Sequence, residues 1–118
     1  MTRDYISIGL AASIDDAIAA LRNFESDQEV LTHIFLVDEQ GVLRAVVPLV
    51  KVLLAPRDAV LETLAEDHIV SCELHASAKK VAELFDKYNL RALPVLDKDR
   101  KLVGVIYAEQ VIAQLRNG

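Results

Sequence analysis

The sequence predicts an α/β fold made of two copies of one β-α-β-β-α unit. Two hairpin patterns, Val37–Val47 and Leu96–Ile106, align with an offset of 59 residues (96 − 37), and each places strand formers on both sides of a polar turn. Two helix-start patterns, Ser13–Ala17 and Ser77–Val81, align with an offset of 64 residues (77 − 13). The first copy therefore has five more residues between its helix and its hairpin. Such repetition predicts two packed copies, with their sheets facing each other about a pseudo-two-fold axis.

The first half of copy one follows from local patterns. Tyr5–Ile8 is a candidate strand, and Ser13 has the features of a helix N-cap. Asp16 stands three residues later, which completes a capping-box pattern. The helix that follows has one apolar face, formed by Ile14, Ala17, Ile18, Leu21 and Phe24.

The second half of copy one is a hairpin followed by a short helix. A strand is predicted at His33–Val37, and Gln40–Gly41 supplies the turn to the next strand. Pro48 fits the first turn of a helix at Leu49–Leu54, because a proline there loses no helical hydrogen bond. Pro56 ends this helix by keeping the residue before it out of helical geometry.

Copy two repeats the pattern. Ala59–Ala65 is predicted as a short helical turn, and Ile69–Cys72 as a strand. A helix begins after Ser77 and ends at Asn89, a residue that tolerates left-handed geometry. The residues expected to point inward from the turn and the two helices are Val60, Leu61 and Leu64, then Val81, Leu84, Phe85 and Tyr88, then Ala108, Val111, Ile112 and Leu115.

Composition narrows the class of protein. The 118 residues are 53% hydrophobic and 5% aromatic, so the core must be aliphatic, and no Pro/Gly/Ser-rich linker separates residues 1–58 from residues 59–118. A net charge of −5 argues against nucleic acid as a partner. The single cysteine, Cys72, excludes an internal disulfide and predicts a buried apolar residue in a reducing compartment. Neither a secretory leader nor a transmembrane stretch is visible, which predicts a cytoplasmic chain.

Catalytic patterns are missing from the sequence, which has no G-x-S-x-G, no H-E-x-x-H and no glycine-rich phosphate loop. The histidines His33, His68 and His75 are far apart in sequence and read as turn or strand-end residues. A pair of Cys72 with a histidine is the remaining arrangement for nucleophilic catalysis. We interpret the chain as a non-enzyme.

The doubled unit resembles the cystathionine-β-synthase-type (CBS) domain pair, a regulatory module. The resemblance is carried by ALPVLD and LVGVIYAEQV in the second copy. The segments HIFLVDEQGVLRAVVPLVKVLLA and LFDKYNLRALPVLDKDRKLVGVIYAEQVI are similar to the cytosolic CBS pair of MgtE-type magnesium transporters. The longer helix-to-strand connection in the first copy is also found there. This resemblance implies a regulatory role and a transmembrane transport domain outside this chain.

In CBS pairs the ribose and phosphate of a nucleotide are typically held by a glycine, two aliphatic residues, a Ser or Thr and, three residues on, an Asp. The second copy has Tyr107 and Gln110 at the last two of these positions, and the first copy has Pro48 and Lys51. The resemblance therefore implies weak or absent binding of adenosine nucleotides. A residual site would comprise Arg91, Leu93, Pro94, Tyr107 and Gln110, with Lys51 available for a phosphate. The alternative is that Tyr107 packs and that Gln110 and Lys51 are solvated.

Magnesium is the second ligand that the resemblance implies, because MgtE-type CBS pairs are acidic sensors in which Mg²⁺ bridges carboxylates. Asp15 and Asp16 are the candidates here. The acidic pair that opens the second long helix in the family is replaced by Lys79–Lys80, which departs from that pattern. Asp15 and Asp16 also have a simpler explanation, since acids in a first turn favour the helix dipole. Isolated from other domains, the chain is expected to bind Mg²⁺ only in the millimolar range.

The helices that end each copy predict a homodimer. The first is apolar on most sides, and one sheet can cover only one of them, so an exposed patch should remain. The expected interface comprises Val50, Leu53, Leu54, Val111, Ile112 and Leu115. Three functions remain open at this point: the regulatory part of an MgtE-like transporter, a free-standing adenine-nucleotide sensor, and a dimerisation module without a ligand.

Overall fold

A computed structural model describes residues 1–25 and 31–111 of the chain. The first copy contains β1 (Ile6–Gly9), α1 (Ile14–Asn23), β2 (His33–Val37), β3 (Leu43–Pro48) and α2 (Leu49–Leu54). A 3₁₀ turn at Leu61–Leu64 leads to the second copy, which contains β4 (Cys72–Glu73), α3 (Ala78–Tyr88), β5 (Ala92–Leu96) and β6 (Leu102–Tyr107). Residues 108–111 begin a further helix. The α/β class and the doubled β-α-β-β-α order are confirmed.

Each copy forms a three-stranded sheet with the same topology. The orders are β1-β2-β3 and β4-β5-β6, with a parallel pair followed by an antiparallel pair in both. The register shifts between Leu36 and Val37 in one hairpin and between Val95 and Leu96 in the other. Val37 and Leu96 therefore occupy equivalent strand positions, which confirms the alignment of the two hairpins.

An aspartate side chain holds each hairpin turn in shape. Oδ1 of Asp38 accepts hydrogen bonds from the backbone N–H of Gln40 and of Val42, at 2.9 and 3.0 Å. Oδ1 of Asp97 accepts the same two bonds from Asp99 and Lys101, both at 2.9 Å. An aspartate that binds the amides two and four residues ahead reproduces a backbone turn, which explains an acid after the first strand of each hairpin.

The two turns bind each other across the pseudo-two-fold axis. The N–H of Leu43 donates to the carbonyl of Arg100 at 3.2 Å, and the N–H of Leu102 donates to the carbonyl of Gly41 at 3.1 Å. Gly41 has a φ of 85° and Arg100 a φ of 64°, so both turns carry a left-handed residue at the same position. Because the paired residues are related by the offset of 59, the two bonds are symmetry equivalents.

The segment in front of each copy pairs with the sheet of the other copy. Thr2 exchanges two backbone hydrogen bonds with Val105 of β6, and the N–H of Glu66 donates to the carbonyl of Val46 in β3 at 2.9 Å. Met1 packs over Gly104, where any side chain would collide with its sulfur. The chain therefore crosses between the two sheets on its way into each repeat.

A shared core lies between the two sheets and joins the copies into one body. It is formed by Phe35, Leu43 and Val46 from the first copy and by Ala92, Leu96, Val105 and Tyr107 from the second. Tyr5 packs edge-on against Phe35, with ring centroids 5.9 Å apart. Each copy also has its own aliphatic core beneath its helices. One packed body, as expected from the missing linker, is the arrangement observed.

Several local expectations need correction. The strand predicted at Ile69–Cys72 is only Cys72–Glu73, because β4 pairs with β5 through Cys72 and Glu73. Val60 was expected inside but is 62% exposed, and Tyr88 is 47% exposed at the end of α3. The N-cap at Ser13, its capping box with Asp16 and the left-handed stop at Asn89 are confirmed. No helix within the described residues is long and apolar enough to cross a bilayer.

The turn of the first hairpin should make stability depend on pH through Asp38. Desolvation raises the pKa of this carboxyl, but the N–H groups of Val42 and Gln40 and the Arg44 guanidinium outweigh it, so the pKa is lowered. Because the pKa is lower in the folded state, the ionised carboxyl stabilises the fold at pH values above the unfolded pKa of 3.8. This stabilisation is lost as the pH falls through the folded pKa.

We expect Asp38→Asn, which keeps an acceptor oxygen but loses the charge facing Arg44, to melt below the wild type at pH 7. The gap should narrow as the pH falls from 3.8 towards the folded pKa, because the wild-type carboxyl then becomes protonated in the folded state as well. Thermal unfolding by circular dichroism between pH 7 and pH 3 measures it. Asp99→Asn, whose side chain makes neither turn bond, is the matched control. A constant gap across this range would contradict the assignment.

Candidate ligand cleft and docking surface

A cleft of about 220 Å³ lies between the two copies. One wall comes from β2, from β3 and from the segment around Glu66 that pairs with β3 before the second copy, which we call the crossing segment. The residues of this wall are His33, Val46 and Glu66. The other comes from the second copy and contains Val70, the end of α3 and the start of β5, including Arg91 and Pro94. Because residues of both repeats line the cleft, a ligand there would contact both repeats at once.

His33 connects two segments of the first wall. Its Nδ1 lies 2.7 Å from Oγ1 of Thr32, and its Nε2 lies 3.0 Å from Oε1 of Glu66. The imidazole is 15% exposed, whereas the Glu66 side chain is 42% exposed. This contact ties the start of β2 to the crossing segment. The sequence pattern predicted only a turn or strand-end residue at His33. The alignment of the two copies places His33 over the apolar Ala92, and this exchange of residue type was the signal that His33 has a role of its own.

The structure separates the candidate nucleotide residues. Arg91 is exposed and lines the cleft beside the buried Pro94. Leu93 is fully buried in the core of the second copy, and Tyr107 is 2% exposed in the core between the sheets. Lys51 stands exposed on α2. Arg91 and Pro94 are therefore the two of these residues that line the cleft.

Tyr107 and Gln110 have structural roles of their own. The Tyr107 hydroxyl donates to the carbonyl of Asp4 at 3.3 Å, and its backbone N–H donates to Oε1 of Gln110 at 3.0 Å. Gln110 thus binds the backbone three residues before it, as Asp16 binds the N–H of Ser13 at the start of α1. The half-buried Gln110 side chain therefore caps the last helix. Its oxygen is occupied by this hydrogen bond and is not available to a ribose.

The candidate metal ligands also have partners within the chain. Oδ1 of Asp15 lies 3.2 Å from Nε of Arg57, and Oδ2 of Asp16 accepts the Ser13 N–H at 3.0 Å. Within residues 1–25 and 31–111, no three His, Cys, Asp or Glu side chains gather closely enough to hold a metal ion. Asp15 and Asp16 can serve as outer ligands of a hydrated Mg²⁺ only if another molecule completes the site.

The α2 helix presents an apolar surface, which we call the α2 face and define as Val50, Leu53 and Leu54. These side chains are 59%, 64% and 79% exposed, whereas Val52 on the opposite side is 1% exposed in the first core. Val111 is half-buried against the core of the second copy. Ile112 and Leu115 lie outside the described residues. The predicted exposed patch is thus present on α2.

Comparison with known proteins finds a match to a protein family and several similar proteins. Residues 61–117 match the family model described as the CBS domain. The magnesium transporter MgtE of Thermus thermophilus is 29% identical over 113 residues, which cover 95% of this chain and 25% of the transporter. A homoserine O-acetyltransferase of Methanohalobium evestigatum is 28% identical over 94% of this chain and 22% of that enzyme. The chain thus spans about a quarter of these relatives.

Solved structures agree with the sequence relatives. The cytosolic domain of the Mg²⁺ channel MgtE, solved in complex with ATP, superposes with a TM-score of 0.89 at 25% identity. That match covers 97% of this chain and 46% of the solved one. The similarity therefore extends over both repeats.

We expect weak nucleotide binding by the chain as it stands. The Gln110 amide caps a helix and the Tyr107 ring is buried, so neither offers a carboxylate or a hydroxyl to a ribose. Isothermal titration calorimetry with AMP and ATP should give a Kd no tighter than about 1 mM, worth roughly −4 kcal/mol. A low-micromolar Kd would contradict this expectation.

A single substitution sharpens the test. Gln110→Asp keeps an oxygen that can cap the helix, as Asp16 does in α1, and adds a carboxylate able to accept both ribose hydroxyls. We expect it to tighten AMP binding at least about tenfold, or 1.4 kcal/mol. Gln110→Glu, whose longer side chain displaces the carboxylate, is the matched control.

Proposed function

We propose a regulatory role from the premise that this chain is a CBS-domain pair related to the cytosolic region of MgtE-type magnesium transporters. In this proposal the chain is a non-catalytic module on the cytoplasmic side of a membrane, and it gates or senses for a transport domain outside residues 1–118. The observation that carries the proposal is the alignment with the Thermus MgtE, which runs through both repeats and covers 95% of the chain.

The chemistry of the described side chains supports a non-catalytic role. Cys72, the single thiol, is buried, and burial raises its pKa, which is the opposite of what a nucleophile requires. Both ring nitrogens of His33 are engaged, one with the Thr32 hydroxyl and the other with the Glu66 carboxylate. These groups therefore support structure rather than bond making or breaking.

A homodimer formed through the α2 face is part of the proposal. Three large apolar side chains on one short helix form an exposed patch that a partner surface can remove from water. A two-fold contact would place Leu53 near its own symmetry mate, which makes the interface self-complementary. Dimerisation would also give a transport domain a symmetrical platform.

Leu53→Asp should dissociate such a dimer. A carboxylate buried without a partner costs several kcal/mol, so the Kd of the dimer should rise by more than about tenfold. Light scattering at matched concentrations should show a change in mass from dimer to monomer. The monomer should keep its circular dichroism spectrum, since Leu53 is 64% exposed within the chain.

Leu74→Asp, at an apolar side chain of the second copy that is 39% exposed, is the matched control and should leave the dimer intact. A wild-type chain that is monomeric at high micromolar concentration would contradict the homodimer. The α2 face would then be covered by another part of a longer protein.

A second candidate function is adenine-nucleotide sensing by a CBS pair that is not attached to a transporter. The cleft between the copies supports it, since Arg91 and Pro94 stand at a position where a ligand would contact both repeats. The MgtE cytosolic domain was solved with ATP, which also favours a nucleotide ligand over a ligand-free module. The engaged Gln110 and buried Tyr107 favour the transporter role.

A chimera tests the transporter role directly. Residues 1–118 would replace the matching region of the Thermus thermophilus MgtE, and Mg²⁺ flux would be measured in liposomes. We expect the chimera to transport Mg²⁺ with a flux that differs from that of the same transporter lacking the region. Leu53→Asp in the chimera should abolish this difference, because it disrupts the α2 contact, while size-exclusion chromatography checks assembly. Equal fluxes with and without the inserted module would contradict the proposal.

A further inference from the structure

A second groove, separate from the cleft between the copies, lies in the second repeat. It runs between the loop before α3 and the β5–β6 turn, has a volume of about 1000 Å³ and shares no lining residue with the cleft. We call it the α3 groove and define it by Cys72, His75, Ser77, Lys80, Lys98 and Arg100. Its floor is apolar, because the buried side chains of Cys72 and Leu96 lie at the bottom.

Three cations stand on the rim of the α3 groove. Lys80 comes from the first turn of α3, and Lys98 and Arg100 come from the β5–β6 turn. All three are exposed, and none forms an ion pair with another residue of the described ranges. Two acids also line the groove, Glu73 and Asp97, and one oxygen of Asp97 is occupied by the turn amides.

The first copy shows that the fold does not require these cations. The residues at the corresponding positions are Asp16, Glu39 and Gly41, by the offsets of 64 and 59. The backbone is the same in both places, since the N–H of Asp16 and that of Lys80 each donate to an N-cap serine at 3.1 Å. The same local structure thus carries two anions and a glycine in one copy and three cations in the other.

The charge at the start of α3 opposes what helix physics favours. Lys79 and Lys80 stand in a first turn without an acid, where the positive end of the helix dipole repels them. The first turn of α1 contains Asp15 and Asp16, as the dipole favours. An anion bound at the groove would remove this repulsion and would face the helix N-terminus, the hydroxyl of Ser77 and the guanidinium of Arg100 together.

We propose that the α3 groove binds a small organic anion that carries a phosphate group. The three rim cations and the start of α3 hold the phosphate, and the apolar floor at Cys72 and Leu96 receives the organic part. The concave shape and the volume of the groove suit a small molecule better than they suit the flat surface of a partner protein. The site is independent of the cleft between the copies and of the α2 face.

Inorganic pyrophosphate is the probe that tests the phosphate half of the site. Titrated into the ¹⁵N-labelled full chain at 0.15 M salt, it should cause saturable shifts at the amides of Ser77, Lys80 and Arg100. The double variant Lys80→Gln, Arg100→Gln should weaken the Kd at least tenfold. It should melt no lower than the wild type, because Lys80→Gln removes a charge that the helix dipole repels.

Lys87→Gln is the matched control, since Lys87 is an exposed cation at the other end of α3. It should leave the Kd unchanged. Shifts that are absent, that spread equally to Lys87, or that persist in the double variant would overturn the proposal. Tighter binding of hexaglutamate than of pyrophosphate would overturn it in favour of an acidic protein segment.

Discussion

The reciprocal hydrogen bonds between the two hairpin tips are the constraint on which the rest of this structure depends. Leu43 and Leu102 donate to Arg100 and Gly41, so each turn must present a carbonyl to the other across the pseudo-two-fold axis. That presentation requires a left-handed residue in both turns and an aspartate to hold them. With the tips joined, the two sheets face each other and close over the aliphatic core between them. The position of the cleft between the copies follows from the same closure.

Local sequence patterns predicted the helices and strands well, because the interactions that define them join residues close in sequence. The capping box of Ser13 with Asp16, the stop at Asn89 and the bulged hairpins all involve residues a few positions apart. The crossing of the chain between the sheets was missed, since a backbone bond from Glu66 to Val46 leaves no side-chain pattern. The predicted β4 began at Ile69 instead of Cys72, and Val60 was expected inside although only Leu61 beside it is buried.

The candidate sites were less predictable than the fold. Arg91 and Pro94 line the same cleft because they are close in sequence at the start of one strand. The burial of Tyr107 depends on packing between the sheets, and the capping by Gln110 depends on where the last helix begins. The α3 groove was missed altogether, since its cations come from two segments about twenty residues apart that only the tertiary fold joins. The repeat alignment nevertheless contained the signal, in the exchange of Asp16 for Lys80.

The crossing of the chain into each repeat has a consequence for the origin of the protein. Thr2 pairs with the sheet of the second copy and Glu66 with the sheet of the first, so each repeat lends a segment to the other. Reciprocal exchange about a two-fold axis is the arrangement that two identical single-repeat chains adopt when they swap a terminal segment. Gene duplication and fusion of such a swapped ancestor would join its chains without rebuilding any contact. After such a fusion the two halves would be free to diverge, which fits the opposite charges at the starts of α1 and α3.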